Sequence, residues 1–137
     1  MAIGFSPKLP VRIDSVDGFC RLNKSLGEVT KQNIKMVVLT TPGERMMYPK
    51  FGAGARNYLF GTSAEVYEGL NKKIQDQISL YVPYVTIKSI EVIPLNTDDV
   101  AGVKTIDSST QHLGIRIVYF IPNLNINDSV EMSIFNN

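Results

Sequence analysis

The chain has 137 residues, 44% hydrophobic and 20% charged, a composition that is ordinary for a globular protein and excludes a disordered or fibrous one. Lysine and arginine number 14 against 13 acidic residues, so the net charge of +1 excludes a broad basic surface for nucleic acid or anionic lipid. We expect no secretory leader, no membrane span and, with one cysteine, no internal disulfide, which together favour folding in a reducing cytoplasm. A single domain over residues 1–137 is therefore predicted.

The N-terminal segment predicts a short β-hairpin over residues 9–22. Apolar and polar residues alternate from Leu9 to Ile13, and Asp17-Gly18 is a turn dipeptide before the next apolar stretch. Because an isolated two-stranded hairpin is marginal in water, we expect it to pack on a helix or to join a sheet of another chain.

Two helices are predicted within residues 25–82. Ser25 and Glu28 match a capping box, in which the serine accepts one orphan backbone N–H and the glutamate reaches back to the N–H of the serine itself. Thr62 to Glu65 repeat that device before an apolar stripe of Tyr67, Leu70, Ile74, Ile78 and Tyr81. Since Pro83 lacks a backbone donor, the second helix ends near Tyr81 or Val82.

Residues 85–135 predict three antiparallel strands, because the apolar period changes to two. The phase reverses at Lys88-Ser89, which indicates a β-bulge. Residues 96–111 are polar and form an excursion between two of the strands. The predicted fold class is α+β, with the helices on one sheet face. Arg116 and Glu131 indicate that the opposite face is solvated, whereas Val118 and Phe120 indicate that part of it is covered.

The sequence contains few residues that could form a catalytic site or a metal site. His112 is the sole histidine, no nucleophile is marked for it, and it is interpreted as a polar residue at the start of a strand. Cys20 is interpreted as an inert thiol, and we predict no metal and no cofactor. Gly52-Ala53-Gly54 lacks the Gly-Lys-Ser/Thr that a phosphate-binding loop needs. Glu44 is the one candidate acid for glycoside hydrolysis, but adjacent Arg45 favours its ionised form.

The connector between the helices, residues 40–61, is rich in proline and glycine and too apolar for a plain solvent loop. Its aromatic and leucine residues Phe51, Leu59 and Phe60 are expected to pack between the helices. Gly43-Glu44-Arg45, Pro49, Phe51-Gly52, Gly54 and Leu59-Phe60 resemble the signature of the small baseplate wedge proteins of T4-like contractile phages. The equivalent component of type VI secretion and contractile bacteriocin baseplates is similar. Met46 and Ala55 depart from the pattern.

The resemblance implies a structural protein that joins other wedge proteins to the central tube or hub and starts the contractile sheath. Glu44 and Arg45 would then contact larger wedge proteins, with Pro49, Phe51, Gly52 and Gly54 shaping the docking surface. Two local alternatives stay open: an ion pair of Glu44 with Arg45 that caps a helix end, and an intramolecular core position for Phe51.

Sheath nucleation would require a free sheet edge, since sheath subunits of such tails add strands to one another's sheets. The last strand, with Val130, Met132 and Ile134, or the N-terminal hairpin, is predicted to offer that edge. The resemblance places the protein in the virion baseplate after assembly in the host cytoplasm, with no nucleic acid, membrane or small-molecule partner. The alternatives are a peptidoglycan-cleaving, lysozyme-like enzyme and a small regulatory binding protein of the same fold.

Overall fold

The computed structural model describes residues 4–60, 63–95 and 112–135. In chain order the elements are β1 (Ser6–Pro7), β2 (Leu22–Asn23), α1 (Leu26–Leu39), a 3₁₀ helix (Ala55–Phe60), α2 (Ser63–Tyr81), β3 (Thr86–Leu95), β4 (His112–Ile121), a 3₁₀ turn (Pro122–Leu124) and β5 (Ile126–Phe135). The predicted α+β class is confirmed, with an N-terminal two-stranded sheet, two helices and a C-terminal antiparallel sheet.

The N-terminal two-stranded sheet exists, but its strands are not those predicted within residues 9–22. Ser6 pairs with Asn23 and Pro7 with Leu22, so residues 9–20 form a long excursion between two very short strands. Asn23 is buried and donates to Ser6 Oγ and to Gln32 Oε1 at 3.1 and 3.0 Å, which joins the sheet to α1. The pairing follows this buried amide rather than the apolar alternation of the segment.

The predicted start of α1 is confirmed by its cap. Ser25 Oγ accepts the Glu28 N–H at 3.2 Å, and Glu28 Oε2 accepts the Lys24 N–H at 3.2 Å, one residue before the predicted one. The helix ends at Leu39, before Thr41-Pro42, and α2 ends at Tyr81 as predicted. Thr62, the predicted cap of α2, lies outside the described residues.

The C-terminal sheet has the order β3-β4-β5, with all pairs antiparallel. The register between β3 and β4 shifts between Ile87 and Ser89, which confirms the bulge at Lys88-Ser89. The bulge allows Val85 and Val92 both to be buried although they are seven residues apart and a regular strand would place them on opposite faces. Residues 96–111, the predicted excursion, lie outside the described residues.

Helices α1 and α2 cover one face of the sheet and share its core. The buried apolar side chains come from both helices, the connector and all three strands, and they include Ile34, Val38, Phe51, Leu59, Leu70, Ile74, Ile78, Ile115, Ile117, Tyr119, Val130 and Ile134. Phe51 and Leu59 of the connector belong to this cluster, so the connector turns inside the core that the two helices form with the sheet.

The opposite face of the sheet is solvated and carries polar partners for its apolar residues. Arg116 and Glu131 form an exposed ion pair at 2.8 Å. Lys88 Nζ lies 5.3 Å from the centre of the half-buried Phe120 ring, an arrangement that covers the ring with an alkyl chain and a cation.

Candidate docking site

The inner half of the connector, residues 51–55, replaces the next turn of α1. The Ala53 N–H donates to the Val37 carbonyl at 2.9 Å, and the Gly54 N–H donates to the Thr40 carbonyl at 3.0 Å. These two bonds satisfy carbonyls that a helix C-terminus otherwise leaves without a partner. All five residues from 51 to 55 are buried, so this half of the connector belongs to the core.

Two glycines make this close approach possible. Gly52 has φ +106°, and a Cβ at this position would overlap the Thr40 carbonyl oxygen. Gly54 has φ +65°, and a Cβ there would lie 2.9 Å from Pro42 Cδ. The Gly52 N–H also donates to Gln77 Oε1 of α2 at 2.8 Å, so the connector is bonded to both helices at its tightest point.

Phe51 is a core residue, as the intramolecular alternative predicted. Its side chain is only 8% exposed and stacks edge-to-face on Tyr81 at the end of α2, with ring centres 4.7 Å apart. Leu59 is buried as well, while the Phe60 side chain lies outside the described residues. Phe51 therefore holds the connector in place from within.

The Arg45 side chain stacks on the face of the Phe51 ring. Its guanidinium carbon lies 4.0 Å from the ring centre, a cation–π geometry that orients the half-buried arginine. The alternative in which Arg45 forms an ion pair with Glu44 is wrong, because no salt bridge joins these two described residues. Glu44 Oε2 instead accepts the Thr41 N–H at 3.1 Å and so closes the turn after α1.

The outer half of the connector, residues 43–50, projects from the molecule and carries an apolar tip. Met46 is 94% exposed and Met47 86%, and Tyr48 and Pro49 beside them are also exposed. The loop is closed at its base, where the Gly43 N–H donates to the Pro49 carbonyl at 2.9 Å. Sequence reasoning treated Met46 only as a departure from a pattern and missed this tip. The sequence did contain a signal for this exposed tip: two adjacent methionines lie between prolines and belong to no apolar repeat at helical or strand spacing.

A groove of about 750 Å³ runs along the outer side of α1 and ends at the connector. Leu9 and Pro10 form one wall, Met36 and Leu39 lie on the helix, and Glu44 closes the end. Three lysines also line the groove: Lys8, Lys31 and Lys35. Lys8 is paired with Glu28 at 3.3 Å and Lys31 with Asp128 at 2.9 Å, so internal ion pairs hold two of the three cations.

The groove also contains the carboxylate of Glu28, which is not suited to general-acid catalysis. Hydrogen bonds from the Lys24 amide and from the Lys8 ammonium lower the pKa of Glu28, against a smaller desolvation effect in the opposite direction. A general acid needs a raised pKa. Within residues 4–60, 63–95 and 112–135, no group of three His, Cys, Asp or Glu side chains could hold a metal ion.

The two outer strands of the C-terminal sheet differ in how well their edges are protected. The β3 edge carries the bulge, Lys88 and Pro94, three features that disfavour the addition of another strand. Strand β5 pairs with β4 through ten consecutive residue pairs without a register shift, and it contains no proline or lysine. Among the described strands none pairs with the outer edge of β5.

The predicted edge residues Val130, Met132 and Ile134 face inward. Val130 and Ile134 are buried, and the half-buried Met132 packs against the core. The Ser129 N–H donates to Asp128 Oδ1 at 2.8 Å, from which we infer that it points away from β4. Because main-chain groups alternate sides along a strand, the outward groups then belong to Ser129, Glu131 and Ser133, the neighbours of the predicted residues.

The fold and these surfaces define a class of small α+β domains with an exposed loop between two helices and, among the described strands, an unpaired edge on β5. Comparison with known proteins gives the family. Residues 24–123 match the family described as baseplate wedge protein gp25, and the chain belongs to that family. It is thus a structural protein of a contractile-tail baseplate, and the resemblance stated from the connector signature is confirmed.

Two solved structures share the fold. One is a Geobacter sulfurreducens protein provisionally assigned as a tail lysozyme, with 19% identity, a TM-score of 0.66, and coverage of 85% of this chain and 96% of that one. The other belongs to the six-fold symmetrised baseplate of the anti-feeding prophage, with 20% identity, a TM-score of 0.64, and coverage of 85% and 83%. No curated protein matches the chain. In the part of the chain described, neither helix has the length and apolarity needed to span a membrane.

Proposed function

We propose that this protein connects other baseplate wedge proteins to the central tube or hub and that it nucleates the contractile sheath. The observation that carries the proposal is the open, regular edge of β5 on a subunit of the baseplate wedge family. It assembles in the host cytoplasm and takes its place in the tail baseplate, with protein partners only: no nucleic acid, membrane, small molecule or cofactor.

The projecting half of the connector is the proposed contact with the larger wedge proteins. Arg45 is held by the Phe51 ring and Glu44 by the Thr41 amide, so both charged groups reach a partner with little further loss of conformational freedom. Pro49, Gly52 and Gly54 contribute by shaping the loop. The exposed Met46 and Met47 add apolar area next to Arg45, and methionine and arginine are both residue types that are enriched at protein interfaces.

The connector contact is tested by Arg45→Ala in particles. We expect the protein to stay folded and baseplate assembly to fall at least tenfold, since truncation of a hot-spot arginine near an interface centre costs about 2 kcal/mol or more. Lys50→Ala is the matched control, because it removes an exposed cation from the same loop. Equal assembly of the two variants would reject the contact.

Strand addition at β5 is tested by removing one outward donor from the edge. Glu131→Pro deletes an N–H that we place away from β4, and proline is tolerated where the missing N–H faces solvent. We expect a folded protein on which the sheath does not polymerise. Glu131→Ala, which keeps the N–H, controls for the loss of the carboxylate. Sheath of normal length on Glu131→Pro baseplates would contradict strand addition at this edge.

A peptidoglycan-cleaving activity is not proposed, although one structural neighbour carries that assignment. Glu44 is exposed on the projecting loop, and the Glu28 carboxylate is stabilised in its charged form. A cell-wall clearing assay with the purified protein and Glu44→Gln is the direct check. Clearing by the wild type that Glu44→Gln abolishes would overturn the non-enzymatic assignment. A regulatory binding role would instead appear as capture of one partner in the absence of baseplate proteins.

A further inference from the structure

The excursion between β1 and β2, residues 9–20, is an exposed apolar arm. Ile13 is 84% exposed and Val11 58%, and Val16 and Phe19 are also largely exposed. Residues 11–14 belong to no helix or strand. Exposed large apolar side chains at this density mark an interaction segment rather than a plain loop.

The main chain of the arm is bonded to α1 at its start, where the Leu9 N–H donates to Gln32 Oε1 at 3.0 Å, but it is free at two residues further along. The Arg21 N–H donates to the Arg12 carbonyl at 3.1 Å, which ties the middle of the arm to its return segment. Within the described residues, the main-chain groups of Val11 and Ile13 have no hydrogen-bond partner. In an extended chain those groups point to the side opposite the Arg12 carbonyl, so the arm offers one unpaired strand edge.

We propose that residues 10–14 of the arm add as a strand to the β5 edge of a second copy of this chain. The proposal rests on the same open edge as the proposed function, but it assigns a different donor strand. Both partners have what the contact needs: two residues with free donors and acceptors on the arm, and a regular edge without proline or lysine on β5.

Side-chain chemistry selects a parallel arrangement. In a parallel pair the arm can lie with Val11 beside Val130, Arg12 beside Glu131 and Ile13 beside Met132, which places both apolar residues on the core side of the sheet. An antiparallel arrangement that used the same free groups would leave Val11 and Ile13 on the solvated face.

The same arrangement places the Arg12 guanidinium next to an exposed carboxylate. Glu131 is 64% exposed and already paired with Arg116, and Arg12 would extend that pair into a three-residue ladder across the sheet. The contact is head-to-tail, so copies would form a ring or an open chain, and it would cover an edge that is otherwise a liability for aggregation. A sheath strand would have to displace the arm.

Sedimentation of the full chain tests the contact. We expect concentration-dependent self-association, about tenfold weaker in Arg12→Glu, where two carboxylates would meet at the junction. The charge exchange Arg12→Glu with Glu131→Arg should restore association to within about threefold of the wild type. A monomer at every soluble concentration, or a charge exchange that restores nothing, would overturn the proposal. Circular dichroism confirms that each variant is folded, since both residues lie on the surface.

A labelled peptide of residues 8–16 separates this proposal from sheath nucleation. The peptide should bind the full chain and Glu131→Ala but not Glu131→Pro. Sheath polymerisation on particles should survive Arg12→Glu and fail in Glu131→Pro. If the peptide does not bind while Glu131→Pro still blocks the sheath, the arm is not the donor and sheath nucleation stands. If the peptide binds but sheath forms on Glu131→Pro, the arm contact stands and sheath nucleation at β5 fails.

Discussion

The two halves of the connector differ in what their residues contact, although they adjoin in sequence. Residues 51–55 are buried and bonded to α1 and α2, whereas residues 43–50 project with Met46 and Met47 almost fully exposed. The difference shows that the connector is attached to the two helices through its inner half, while its outer half stays exposed. Substitutions in the inner half should therefore lower the free energy of unfolding more than those in the outer half, whose main effect should be on assembly.

The largest effect is expected for Gly52→Ala. The added Cβ would overlap the Thr40 carbonyl oxygen at a φ that suits glycine, so we expect a loss of more than about 4 kcal/mol in the free energy of unfolding. Gly43→Ala is the matched control, because Gly43 has φ +97° but open space around it, and strain alone costs about 1–2 kcal/mol. Denaturant unfolding curves compare the two. Equal losses would show that the close approach to α1 is unimportant.

Phe51→Ala should have the next largest effect. It removes a buried ring, the edge-to-face contact with Tyr81 and the platform under Arg45, and we expect a loss of about 3 kcal/mol. Tyr48→Ala, at an exposed aromatic three residues earlier, should cost less than about 1 kcal/mol. Similar unfolding midpoints for the two variants would remove the distinction between the halves.

A smaller loss of stability is expected on acidification. It should affect hydrogen bonds at the end of the arm and at the start of α1, but not those of the inner half of the connector. Hydrogen bonds from Lys24 and from the Leu22 amide lower the pKa of Asp17, and hydrogen bonds from the Lys24 amide and from Lys8 lower that of Glu28. A lowered folded-state pKa means that the stabilisation is present above the unfolded-state value and is lost as the pH falls below about 4. The Leu22 and Lys24 amide NMR signals should shift in that window. Those of Ala53 and Gly54, which bond to carbonyls, should stay constant.

The smallest effect on stability is expected for the pair Met46→Ser with Met47→Ser. Both side chains are in solvent, so the free energy of unfolding should change by less than about 0.5 kcal/mol. If the apolar tip is part of the wedge contact, incorporation into baseplates should fall nonetheless. A large loss of stability would mean that the tip packs on the protein itself.

Local patterns predicted the elements well where one short-range interaction decides the outcome. Ser25 accepted the Glu28 N–H as expected, Pro83 followed the end of α2, and the phase reversal at Lys88-Ser89 became a register shift. The hairpin prediction failed over residues 9–22. An alternation of apolar and polar residues indicates which side chains can share a face of a strand, but it does not indicate with which segment the strand pairs. Asn23, buried between β1 and α1, supplied that partner from outside the predicted strands.

The sequence by itself determined the class of fold and the family, because capping, period and the proline-glycine signature are local properties. Only the tertiary structure decided that Arg45 rests on Phe51 and not on Glu44, that Met46 and Met47 form a tip, and that β5 rather than β3 has the unprotected edge. The reason is physical: exposure and pairing depend on which segments meet in space, and residues far apart in the chain decide that together.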